Sequence, residues 1–307
     1  MKQVAEVVQC VPNFSEGRRE EVVQAIVGEI AGTAGVRLLD YTSDYDHNRS
    51  VVTFVGNRES VGEAAYRAAA KAAELIDLRS HKGGHPRMGA TDVIPFIPIS
   101  DVTMAQCVEL AHTVGGRVAA ELEIPVFLYE EAATRPSRRN LADVRRGEYE
   151  GLLQAISEPE RVPDFGPARM NLSAGATAVG ARRPLVAYNV NLNTGKLEIA
   201  KKIALAVREK SGGLTNVKAI GLLLEDRCQA QVSMNLVNCD ATPVYRVVEL
   251  IKAEAARYGV TVAGTELIGL IPLKYLLDTA AYYLGLEGFS DEQVLEKRIF
   301  FQGEETR

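Results

Sequence analysis

The chain has few cysteines and none in a useful pattern. Cys10, Cys107, Cys228 and Cys239 lie far apart with no CxxC pair, which argues against a secreted disulfide framework and a structural zinc site and favours free thiols in a reducing compartment. Long apolar runs are also missing: no stretch approaches the roughly 20 residues that span a bilayer. There is no basic excess. A formal charge of −5 argues against a general nucleic-acid binder, which needs cations to neutralise phosphates. The opening MKQVAEVVQCVPNF carries one early lysine and no small-residue cleavage site, so it reads as a strand rather than a leader. A cytoplasmic protein with neither nucleic acid nor membrane as partner is expected.

What is present suits a packed core: 47% of the residues are apolar and 24% charged, an ordinary globular mixture. At 307 residues the chain exceeds the size at which one core stops growing, so two units are expected. A strand over Val4 to Pro12 precedes the helical pattern EEVVQAIVGEI, and VRLLDYT and SVVTFVG read as a hairpin around the polar tip SDYDHNR. The Ala-rich helix from Glu59 to Leu78 leads to the strand VIPFIPI, whose two prolines suggest an edge position. This strand, helix, strand, strand, helix, strand order is a split βαβ unit.

A helix from Thr103 to Leu122 and the run PVFLYEEA follow. The segment from Arg161 to Pro184 then reads as a long ordered loop or linker. From Leu185 the same order restarts. The expected fold is therefore α+β, two ferredoxin-like (split βαβ) subdomains, residues 1–181 and 182–307, packed around a central ligand cleft or tunnel.

Chemistry concentrates in RSHKGGHPRMGATD, Arg79 to Asp92. Gly83 and Gly84 reach backbone angles closed to other residues and Pro86 fixes φ, so this is a shaped loop. His81 and His85 are four apart, but the glycines between them and Pro86 exclude a helix, and the glutamate of a zinc-protease motif is absent. Proton transfer suits a histidine near Arg79, Lys82 and Arg87 better than metal ligation. The hairpin tip from Asp40 to Arg49 reads as solvated except for Asn48 and Arg49, which start the second strand and can face the same cleft, where an arginine fork would hold a carboxylate.

The Gly-rich segment after Asp164 lacks both GxxxxGK[ST] and GxGxxG, leaving a ligand loop and a plain linker both open. Ser15, in the turn from Pro12 to Gly17, can cap the next helix and lacks a nucleophile-elbow context. Tyr188, Asn189, Asn191 and Asn193 lie along one strand as a binding or a solvent face.

Taken together, CVPNFSEG from Cys10, NRSVVTFVG from Asn48, HKGGHPRMGATDVIPFIP from His81, PVFLYEEA from Pro125, DFGPARMNLSAGATAVGAR from Asp164 and AYNVNL from Ala187 resemble the glutamate formiminotransferases over nearly the whole chain. HPRMGATD followed closely by PFIP is the specific element. The resemblance implies a stand-alone formiminotransferase domain that moves a formimino group from N-formimino-L-glutamate to N5 of tetrahydrofolate, with no metal. It implies two subdomains around a folate tunnel and a homodimer, and a separate cyclodeaminase becomes a conceivable partner. It makes His85 the catalytic acid or base. It places folate on Gly166, Pro167, Ala168, Arg169, Met170, Asn171, Leu172, Ser173, Ala174 and Gly175.

Gly84 stands where an acidic residue is familiar in this family, and Ala174 where the bifunctional enzymes carry tryptophan. The chemistry fits: N5 must lose a proton and the leaving amino group must gain one, so one histidine can serve both steps in turn. Asn48, Arg49, Lys82 and Arg87 then become candidates for holding the substrates' carboxylates. Rival readings are formyl transfer from N-formylglutamate, formimino transfer from formiminoglycine, a noncatalytic binder of folate or an acidic metabolite, and a metal-dependent hydrolase built on His81, His85 and Asp92.

Overall fold

The computed structural model describes residues 6–300; Val4 and Ala5 of the expected opening strand lie outside them. The chain divides into two compact units, residues 6–182 and 183–300 among those described. The first begins with β1 (Val7–Cys10) and β2 (Asn13–Phe14), two pieces of one strand path broken at Val11 and Pro12. Helix α1 (Glu20–Ala31), the hairpin β3 (Val36–Asp44) and β4 (Arg49–Gly56), helix α2 (Arg58–Leu75) and strand β5 (Thr91–Ser100) complete the split βαβ order.

The sheet registers agree with that order. β1 and β2 lie between β4 and β5, antiparallel to both, and β3 pairs with β4 at the outside. After β5 come α3 (Met104–Leu122), β6 (Val126–Glu130), the short helices α4 (Leu141–Val144) and α5 (Glu148–Ala155), and β7 (Thr177–Ala181). β7 inserts parallel between β5 and β6.

Two readings of the sequence change here. β5 is central rather than an edge strand, with seven consecutive buried residues from Thr91 to Ile97. Its prolines are tolerated because of where they fall. The carbonyl of Pro95 accepts from Val11 N–H at 3.4 Å, so the missing donor faces the break between β1 and β2, and Pro98 pairs with Val8 at a register shift. Prolines confined to such irregular places cost the ladder little. The apparent linker also contains β7, whose five residues are all buried; its run of small residues, TAVGA, gave no alternating signal.

The core of this unit forms where α1, α2 and α3 cover the sheet. Val22, Val23, Ile26 and Ile30 of α1 and Ala64, Ala65, Ala68 and Ala72 of α2 are buried against Phe54 and Phe96. Alanines let α2 pack closely with both neighbouring helices. Thr103 starts α3 with a capping box to Gln106, which satisfies two otherwise orphaned donors.

The second unit repeats the order as β8 (Val186–Leu192), α6 (Leu197–Val207), β9 (Val217–Leu224), β10 (Gln229–Leu236), α7 (Val244–Arg257) and β11 (Val262–Ile268). Its antiparallel sheet runs β11-β8-β10-β9, the same permutation as β5-β1-β4-β3. Val190, Val232, Ile203, Val247 and Ile251 lie in its core. Helices α8 (Leu273–Leu284) and α9 (Leu295–Phe300) follow.

Candidate active site

Three stretches of the first unit converge at one end of its sheet: the residues after β1, the β3–β4 tip, and the loop between α2 and β5. Asn48 fastens them. It has a left-handed φ of 48°, which asparagine tolerates better than most residues, and it is buried. Its Oδ1 accepts the Gly17 N–H at 3.0 Å, its Nδ2 donates to the Lys82 carbonyl at 3.1 Å, and its own carbonyl meets His81 Nε2 at 3.0 Å. The loops touch so closely that a Cβ on Gly83 would fall 2.1 Å from the His47 carbonyl oxygen, so only glycine fits there. Asn48, expected to bind substrate, has its side-chain amide committed to this clamp.

His85 sits at the centre. Its Nδ1 is 2.6 Å from the Pro86 carbonyl oxygen. A carbonyl can only accept, so Nδ1 carries the proton and Nε2 presents its lone pair, which faces Nη1 of Arg49. The other end of the Arg49 fork donates to Asn13 Oδ1, while its buried Nε has no hydrogen-bond partner. Burial, then the Arg49 and Arg145 cations, push His85 down to about 4, against the opposing pull of Asp92 and the Pro86 carbonyl. His85 is therefore a neutral base at pH 7. Burial also brings Arg49 down to about 10, with Asp92 supporting its charge and Arg145 opposing it.

Beneath them Asp92 is 2% exposed, accepts the Met88 N–H at 3.1 Å and pairs with Arg145. Phe14, Ser15, His47, His81 and Arg87 complete the lining of the small pocket around His85 and Arg49.

Several expected cations have other duties. Arg87 forms a fork on Glu150 at 2.6 and 2.8 Å, reaches Glu148 at 3.2 Å and donates through Nε to His81 Nδ1 at 3.3 Å. It braces His81 and is not available as a carboxylate receptor. Arg79 forks onto Asp77 and lies outside the pocket lining. Lys82 is exposed, with no ion pair among the described residues. Ser15 does not cap α1. Its hydroxyl donates to the Gly89 carbonyl at 2.7 Å, and Glu16 takes the backbone N–H groups of Gly17, Arg18 and Arg19 instead.

Among the described residues no group of three His, Cys, Asp or Glu is arranged to hold a metal ion. Asp92 faces Arg145 and His85 faces Arg49, so the trio His81, His85 and Asp92 does not converge as a ligand set.

Comparison with known proteins shows the family. The model of the formiminotransferase domain, N-terminal subdomain, matches residues 7–182, and that of the formiminotransferase domain matches residues 187–299. A glutamate formimidoyltransferase of Streptococcus pyogenes serotype M1 is 52% identical over 297 residues, covering 96% of this chain and 99% of its own. One from Thermoplasma acidophilum is 50% identical over 294 residues, covering 95% and 97%. The chain belongs to the formiminotransferase family. It also matches the formimidoyltransferase-cyclodeaminase of Rattus norvegicus at 48% identity over 290 residues, spanning 53% of that longer protein.

The Gly166 to Gly175 segment and the residue after it are laced to residues 78–90 by backbone hydrogen bonds. Leu78 N–H donates to Ser173 O at 2.8 Å, Ala90 N–H to Ala174 O at 2.8 Å and Ala176 N–H to Met88 O at 2.9 Å. Gly175 has φ +73° and a Cβ there would meet the Met88 carbonyl at 2.3 Å. Asn171 shapes the turn by accepting from Ser173 and Ala174 N–H groups. Gly166, Ala168, Arg169 and Leu172 are exposed, whereas Met170 and Ala174 are buried. None of the ten lines the small pocket at His85.

Sequence reasoning missed that Asn13 bonds Arg49, that His47 lines the pocket and that Arg145 pairs with Asp92. His47 belongs to a tip that is exposed, as expected, and still borders the pocket; Arg145 lies in an Arg-rich stretch whose only signal was length without periodicity. The polar strand of the second unit is also revised. Tyr188 packs on the core, while Asn189 and Asn191 face the opposite side, where Asn191, Gln231, Glu266 and Arg227 form one hydrogen-bonded network.

Proposed function

We propose that this protein transfers the formimino group from N-formimino-L-glutamate to N5 of tetrahydrofolate, with His85 as the base that takes the N5 proton. The observation that carries this reading is the neutral His85, its proton fixed on Nδ1 by Pro86 and its Nε2 lone pair aimed into the cationic pocket. The names of the relatives, with nearly full mutual coverage, support the transferase activity and glutamate as the amino acid.

Attack by N5 on the formimino carbon gives a tetrahedral centre carrying three nitrogens. N5 then gives its proton to His85 Nε2, and the bond to the glutamate nitrogen breaks as that nitrogen gains a proton. The formimino group is already an activated amidine, so the step needs no metal. Arg49, desolvated and with Nε unsatisfied, is suited to turn its fork from His85 to a donor carboxylate, which would release Nε2 for catalysis. Lys82, exposed at the rim, is placed for a second carboxylate. The folate is assigned to the exposed side of the Gly166 to Gly175 segment. A homodimer and a cyclodeaminase acting on the product fit this reading; the fused relative supports the latter.

The test is the rate of 5-formiminotetrahydrofolate formation by wild type and His85→Ala. Wild-type turnover that falls about 10²- to 10⁴-fold in the variant, the range for losing an acid–base group, with folate still bound, supports the reading. No wild-type turnover, or an active variant, overturns it.

A further inference from the structure

The reaction moves protons at two different nitrogens, and the pocket holds a second imidazole suited to one of them. His47 Nδ1 lies 2.9 Å from Asp44 Oδ2, and the same carboxylate, through Oδ1, accepts the His47 backbone N–H at 2.8 Å. Burial raises the Asp44 carboxyl, but its bonds to His47 outweigh that and hold it below its usual value. A carboxylate on Nδ1 fixes the imidazole's orientation, the logic by which a carboxylate orients a catalytic histidine.

With Nδ1 so held, Nε2 has no hydrogen-bond partner among the described residues. The His47 ring stands edge-on to His85 with centroids 6.1 Å apart, at 72°, and both line the same pocket.

His85 is poorly placed to hold the proton it takes. As an imidazolium it would lie against Arg49 and feel Arg145, and its other nitrogen is committed to Pro86. His47 faces a carboxylate instead.

We propose that His47, oriented by Asp44, is a second catalytic residue: the general acid that protonates the departing glutamate nitrogen. This rests on the formimino-transfer reading above. N5 forms its bond to the formimino carbon and its proton passes to His85 Nε2. The bond from that carbon to the glutamate nitrogen breaks, its electron pair stays on nitrogen, and the Nε2 proton of His47 completes the amine. One proton is taken and one given, and exchange with solvent resets both rings. Asp44 holds Nδ1 of His47, and the ionisable groups that line the pocket with it are Arg49, His81, His85, Arg87 and Asp92.

The experiment compares wild type, His47→Ala and His47→Gln with formiminoglutamate and tetrahydrofolate, following kcat and KM across pH, with and without added imidazole. Wild-type turnover tests the underlying reading first; its absence overturns that reading and this proposal with it. Given turnover, the expected result is a fall in kcat of about 100-fold in both variants, within the range for losing one acid–base group. KM for tetrahydrofolate should stay little changed, the alkaline limb of the kcat profile should disappear, and imidazole should partly rescue His47→Ala. Wild-type kcat in the variants overturns the proposal. So does a loss that leaves the alkaline limb in place and does not respond to imidazole, because that marks a merely structural histidine.

Discussion

The two units share one strand permutation and differ in what they do with polar residues. In the first, polar groups are carried to the end of the sheet and wholly or partly buried: Asp92 against Arg145, Arg49 against His85, and Asn48 between three loops. In the second, Asn191, Gln231, Glu266 and Arg227 lie across the sheet face away from the core helices, with Glu266 34% exposed. Burial of the charged members is the difference: Asn191 and Gln231 are buried too, but Arg227 is 57% exposed. Desolvation displaces the titrations of His85 and Arg49 and makes their charges consequential, whereas a partly solvated network is screened. Repeating a topology does not repeat its chemistry; that depends on which loops the topology brings together.

This contrast can be broken most severely at Asp92. Replacing it by Asn leaves Arg145 buried without its counter-charge, and loss of about 3–5 kcal/mol is expected from breaking such a pair, read from denaturant unfolding. A smaller loss, about 1–3 kcal/mol, is expected for Asn48→Ala, which leaves the Gly17 donor and the Lys82 acceptor without their partner. Because those loops carry His85, its kcat should fall along with its melting temperature.

Arg49→Gln sharpens the electrostatic side of the comparison. His85 is a base only when deprotonated, so its acid limb in kcat/KM should lie near pH 4 in wild type, below the ordinary histidine range. Removing the cation raises the His85 pKa, and the limb should move up toward neutrality, though not fully, because burial contributes most of the shift. A pH–rate profile, or titration of the His85 ring by NMR, reads this directly. The smallest effect belongs to the second unit: Glu266→Gln should change stability by about 1 kcal/mol or less, as for exposed ion pairs. A loss there as large as that of Asp92→Asn would erase the distinction between the two networks.

Much of the fold was legible because its signals are local. The helical spacing of Val22, Val23, Ile26 and Ile30, the Asn57 and Thr103 caps, and the alternation along β10 can all be read a few residues at a time. β7 was not legible, because five small buried residues carry no period, and β5 looked like an edge because its prolines could not reveal that the neighbouring strand path is broken beside one of them. In the candidate site, the gathering of His81, His85 and Arg87 at one pocket was legible from the motif. The true occupations of Asn48, Arg87 and Ser15 were not: each bonds to a residue 31 to 74 positions away, and no window along the chain contains such a pair.

By itself, then, the sequence determined that there are two split βαβ units and which family they resemble, and it pointed to the segment from Arg79 to Asp92 as the candidate site, because hydrophobic period, capping and motif order are properties of contiguous residues. Only the tertiary structure decided that burial and cations hold the His85 pKa down, that Arg49 faces it, that Asn48 is a clamp, and that His47 with Asp44 stands beside His85. Protonation and availability depend on burial and on partners brought from distant segments, and neither exists until the chain has folded.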